Sequence, residues 1–219
     1  MVRIFGQFGD IMGRGTWDMG LEYQDTYNTL YKEFKQIKNK KPLKKYDKIR
    51  YTYLIIYLTQ LRNGLRIGEA IETILKIKNK FQRKLWVRVE KRKDEEERLV
   101  IIPEEINEVD ILTVKRILDK LEKDYKEDRK KVVSRLSTYA KTAFKFNTHS
   151  LRYSFISYMG KENLPAQIIA KITRHANINH ITRYTQEKLA EEALLNIAKR
   201  RDIHDWNKIL KNPNMGRNK

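Results

Sequence analysis

Leu85-Trp86-Val87-Arg88-Val89 and Arg98-Leu99-Val100-Ile101-Ile102 flank a run of charge, Glu90 to Glu97. Both segments alternate with period two and are rich in β-branched and aromatic side chains, so they read as two strands around a charged turn. Between Phe81 and Pro103 the pattern departs from the helical period, and nowhere else in the chain does a confident sheet suggest itself. The spacing therefore predicts a mainly α chain with one small antiparallel β-hairpin, an α+β fold.

Working outward, helical spacing dominates. Tyr27, Leu30, Tyr31, Phe34 and Ile37 recur at 3.6-residue intervals, and Lys38-Asn39-Lys40-Lys41-Pro42 closes that helix as a basic linker. A second helix is expected over about Leu43 to Leu61, with Tyr46, Ile49, Tyr53, Ile56 and Tyr57 inward. Asn63-Gly64 breaks it, and a third follows over about Ile67 to Lys76. After Pro103, helices are expected at about 109–125, 131–144, 150–160, 165–173 and 188–201, with a further turn over 203–210. Met1–Gly20 reads as a loop or loosely docked arm, and Asn212–Lys219 as a polar, frayed tail.

The chain has 219 residues, room for one domain with an appendage or two small ones. Hydrophobic residues at 40% suffice for a core. Without cysteine there is no disulfide scaffold, thiol nucleophile or Cys-ligated metal. No window has the uncharged apolar length of a spanning helix, and the N-terminus lacks a signal-peptide core, so a soluble intracellular protein is expected. The Lys/Glu-rich surface fits a thermophilic source. A net charge of +19, spread along the whole chain, calls for a polyanion: nucleic acid rather than a membrane surface.

Four local signals carry chemistry. Gly64 permits a bend before Arg66, which opens a helix with Glu69 three positions on, within reach to orient the guanidinium; an ordinary Arg–Glu helix pair has the same spacing. His149-Ser150-Leu151-Arg152 puts an imidazole and a guanidinium on one face at a helix start, where anions are favoured. His175 follows an amphipathic helix begun by Leu164-Pro165, and Tyr184 comes nine positions later. Any one of 12 tyrosines taken alone is more often a packing residue than a nucleophile.

The order of these signals resembles the tyrosine recombinase (phage-integrase) family. Gly64-Leu65-Arg66-Ile67-Gly68-Glu69, His149-Ser150-Leu151-Arg152-Tyr153, and Thr173-Arg174-His175 through Tyr184 carry the likeness, across about Leu43 to Lys199. The family usually has Leu-Gly-His where this chain has Thr173-Arg174-His175. About 42 residues precede the catalytic region, too few for the complete DNA-clamping domain of such enzymes. The resemblance thus implies an arm, helix and linker over 1–42, and a catalytic domain with a helical tail over 43–219.

It also implies the chemistry. Tyr184 would attack a DNA phosphodiester and form a 3′-phosphotyrosyl link, with Arg66, Arg152, His149 and His175 activating the phosphate and Glu69 in support. The general-acid lysine would lie in the hairpin turn; counting back from Arg98 gives Lys93, with Lys91 a competitor on the same face. No metal, ATP or other cofactor is implied. The expected partner is double-stranded DNA, bound by a homo-oligomer, a tetramer on paired sites, in the cytoplasm at the nucleoid. A type IB topoisomerase-like enzyme and a non-catalytic DNA-binding relative are the alternatives.

Overall fold

The computed structural model describes residues 20–90 and 96–175, together with 177–179, 181–182, 190, 194–195 and 197–198. The expected arm over Met1–Gly20 apart from Gly20 itself, the turn expected to hold Lys91 and Lys93, Tyr184 and everything beyond 198 lie outside them.

Seven helices and one hairpin make up the described elements. In order they are α1 (Tyr23–Lys38), α2 (Lys45–Asn63), α3 (Ile67–Ile77), β1 (Lys84–Arg88), β2 (Glu97–Ile101), α4 (Glu108–Glu127), α5 (Arg129–Phe144), α6 (Thr148–Lys161) and α7 (Ala166–Thr173). The mainly α chain with a two-stranded antiparallel sheet agrees with the sequence pattern. Trp86 pairs with Leu99 and Val87 with Arg98. This register turns Leu85, Val87, Arg98 and Val100 inward and leaves Trp86, Leu99 and Ile101 exposed.

Helix α2 is the axis of the molecule. It packs on α1, α3, α4 and α6, and every residue from Tyr51 to Leu61 is buried. A helix apolar on nearly every side belongs in a core, whereas its neighbours show one apolar stripe. Tyr46 corrects the sequence reading: expected inward, it is 62% exposed. It sits in the first turn of α2 with its ring turned to solvent and the Arg50 guanidinium 6.0 Å from its ring centre.

The basic stretch after α1 forms specific pairs. Lys38 reaches Asp110 of α4 at 2.9 Å and Lys40 reaches Asp47 at 2.7 Å. Asp110 also accepts the Tyr51 hydroxyl at 2.7 Å, so α1, α2 and α4 meet at one buried carboxylate. Among the described residues no helix is long and apolar enough to cross a membrane.

Candidate active site

The site begins where α2 ends. Gly64 takes the left-handed conformation (φ 59°), and a Cβ there would sit 2.4 Å from Cδ1 of Phe155 on α6. Both the turn and the close approach exclude a side chain. The chain leaves this corner at Arg66, which caps α3. Glu69 folds back on it, accepting the Arg66 amide at 3.0 Å and its Nη1 at 3.0 Å.

Glu69 is fully buried, and it serves more than Arg66. Its Oε1 accepts the backbone N–H of Glu90, at the end of the first strand, at 3.1 Å. Its Oε2 lies 3.5 Å from Nη1 of Arg98 and 4.0 Å from Nη1 of Arg152. Three guanidiniums therefore surround one carboxylate. Arg98 and Arg152 are 2% and 1% exposed, and Arg66 is partly open.

Burial pushes the Arg98 guanidinium down to about 10 and that of Arg152 to about 9, with neighbouring arginines adding to both shifts. Buried positive charge in excess of its counter-ion is costly and favours an incoming anion. Beside this cluster, burial raises the carboxyl of Glu90, which pairs with Arg129 and presses on Gly68.

Arg152 projects from α6, whose first turn is capped by Asn147 accepting the Ser150 amide at 2.9 Å. Gln60 of α2 donates to the Thr148 carbonyl at 2.7 Å, which ties the start of α6 to the α2–α3 corner. The two terminal nitrogens of Arg152 donate to the carbonyls of Gly64 and Thr173, each at 2.7 Å. These bonds fix the plane of the guanidinium between two elements distant in sequence. His149 lies one turn before Arg152, its ring edge-on to Tyr153 at 5.0 Å between centres.

His175 follows the C-cap of α7, and its amide donates to the Ala170 carbonyl at 3.1 Å. Its Nδ1 is 2.6 Å from the Thr173 hydroxyl, and Arg152 Nη2 stands 3.3 Å from Nδ1. Arg174, at the position the family fills with glycine, is left-handed (φ 54°) and ion-paired with Glu96 at the hairpin. The glycine preference of such a cap is thus overridden by a side chain that binds the hairpin.

The structure gathers Arg66, Glu69, Arg152 and His175 into one network, with His149 a turn away. Lys91, Lys93 and Tyr184 are outside the described residues. Sequence reasoning missed Arg98 and Thr173. Arg98 was legible in principle, because period-two alternation puts it in phase with inward Val100.

The phage integrase family model matches residues 23–191, well over half of the chain. The chain belongs to the phage integrase family. Among its relatives, the uncharacterized protein MJ0770 of Methanocaldococcus jannaschii is 43% identical, over 84% of this chain and 89% of that protein. The putative integrase ORF241 of Acidianus two-tailed virus is 33% identical, over 84% of this chain and 70% of that protein. The putative integrase V10 of Sputnik virophage is 29% identical, over 80% and 88%. A crystal structure of the XerH site-specific recombinase bound to difH aligns with TM-score 0.41 and 18% identity. The alignment covers 76% of this chain and 52% of that one, so this integrase-family chain spans about half the length of that protein.

Proposed function

We infer that this integrase-family chain cuts and rejoins double-stranded DNA through a covalent 3′-phosphotyrosyl intermediate. The observation that carries the reading is the convergence of Arg66, Arg98 and Arg152 on one buried carboxylate, with His175 against Arg152 and positive charge left over for a phosphodiester. Arg66 and Arg152 hold the non-bridging oxygens, where charge grows in the transition state. His149 and His175 add hydrogen bonds and handle the proton of the nucleophile. Tyr184 Oη attacks phosphorus as the P–O5′ bond breaks, and Lys93 or Lys91 from the hairpin turn protonates the departing oxygen. A phenol with a pKa of roughly 10 is about one part in a thousand ionised at neutral pH, so proton removal must accompany attack.

Fixed guanidiniums meet the charge requirement without a metal, and the phosphotyrosyl bond conserves the energy needed for rejoining. Residues 43–219 carry this chemistry, with 1–42 as an arm and helix. The wider positive surface supplies salt-dependent duplex affinity. Subunits assemble on paired sites, a reading supported by the exposure of Leu194, Leu195 and Ile197 in the C-terminal segment.

The test is covalent trapping on a nicked duplex in EDTA. Wild type is expected to form a protein–DNA adduct, and Tyr184→Phe to bind the duplex normally and form none. An adduct from the Tyr184→Phe protein, or one that requires added magnesium, overturns the reading.

A further inference from the structure

Thr173 is fully buried at the end of α7, and its side chain has two polar neighbours among the described residues. Its hydroxyl lies 2.7 Å from the Ile169 carbonyl and 2.6 Å from His175 Nδ1. A hydroxyl has one proton and a carbonyl can only accept, so the proton goes to Ile169. Towards His175 the oxygen is then an acceptor, and Nδ1 must be the donor.

Arg152 does not decide this question. Its Nη2 is 3.3 Å from Nδ1 and 3.4 Å from Nε2. A donor aligned with the lone pair of one ring nitrogen lies much farther from the other, so near-equal distances mark a contact directed at neither. The short bond to the threonine is the directional one.

We propose that Thr173 is a positioning residue that sets the tautomer of His175, holding its proton on Nδ1 and its lone pair on Nε2. The family's usual leucine at this position has no hydroxyl to do so. The consequence for catalysis rests on the function inferred above: the proton of Tyr184 Oη moves to Nε2 as the O–P bond forms. A neutral ring with its proton on Nε2 would present a donor there and could not act as that base.

The test is nitrogen NMR of the full chain labelled with 15N-histidine, with the His175 resonances assigned by their loss in His175→Gln. Wild type in its neutral form is expected to show a protonated Nδ1 and an unprotonated Nε2. Thr173→Val, nearly the same in shape, is expected to move the proton to Nε2, and Thr173→Ser to restore the wild-type pattern. A protonated Nε2 in wild type, or an unchanged ring in the valine variant, overturns the proposal. Adduct formation by Thr173→Val should fall about 10²-fold, with serine restoring it. A tautomer that switches without loss of rate leaves the Thr173 assignment standing and removes His175 as the base.

Discussion

Arg98 and Arg152 share an acceptor: the Gly64 carbonyl takes Nη1 of Arg152 at 2.7 Å and Nη1 of Arg98 at 3.4 Å. Arg98 also donates to the Asn63 carbonyl, while Asn63 clasps the backbone of Ile101 through both ends of its amide, at 2.9 and 3.0 Å. The hairpin is thus seated on the same corner that holds Arg152. Arg98→Met should leave folding within about 2 kcal/mol, because Glu69 keeps two other guanidiniums. Adduct formation should fall about 10²-fold, since small displacements of a charge-stabilising group are expensive. Denaturation and single-turnover trapping together check this, and a rate loss no larger than the stability loss would count against it.

Glu69→Gln keeps the volume and removes the counter-charge for three guanidiniums. Truncating one partner of a buried ion network costs about 3–5 kcal/mol, because the remaining charges stay buried. Denaturant unfolding should show a loss of this size. If the glutamine variant is as stable as wild type, the buried arginines do not depend on Glu69.

Gly64→Ala meets two penalties. A non-glycine residue in the left-handed region costs about 1–3 kcal/mol, and pressing a methyl into the Phe155 ring adds about as much again. The second penalty can be removed separately. Phe155→Leu placed on top of Gly64→Ala should recover part of the lost stability, although alone it destabilises. A purely additive double variant would show that the Phe155 contact is not the obstacle.

Most of the architecture was legible in the sequence, and the reasons differ by element. Helix boundaries followed from apolar periodicity broken at Pro42, Gly64 and Pro103. The Arg66–Glu69 pair was visible because its partners are three residues apart on one helix. The Glu69–Arg98 contact spans 29 positions and the Arg152–Gly64 bond 88, beyond any local window. Tyr46 misled because helical spacing does not tell a ring packed in the core from one laid beside an arginine at the surface. Nor could periodicity announce the all-round burial of α2, which depends on how many helices surround it.

Arg152 makes stability depend on pH in a defined direction. Burial lowers its guanidinium from the ordinary arginine value to about 9. Below about pH 9 folded and unfolded chains both hold the proton, and the full cost of the buried charge stands. As pH rises further the folded protein releases the proton first, so this cost shrinks. The unfolding free energy of wild type minus that of Arg152→Met should therefore shift in favour of wild type between about pH 8 and pH 10.5. A flat or opposite difference would show that the guanidinium is solvated well enough to keep its ordinary affinity for the proton.

The C-terminal segment bears on assembly. The stripe Leu189, Ala190, Ala193, Leu194, Ile197 and Ala198 has helical spacing. Of these, Leu194 and Ile197 are 66% and 42% exposed, and positions 190, 194, 197 and 198 are helical. Leu194 and Ile197 are thus exposed apolar positions, the kind of surface that the proposed contact between subunits would cover. On α7, Ile168 and Ile172 are exposed as well, an apolar counterpart of the kind such a stripe needs. Removing residues from Lys188 onward should spare binding of one chain to one site and abolish the larger complex on paired sites. Because Tyr184 lies just before the cut, adduct yield is the weaker readout. Mass measurement of the DNA complexes with and without the segment decides the matter. If the oligomer survives the truncation, the contact between subunits must be sought elsewhere on the surface.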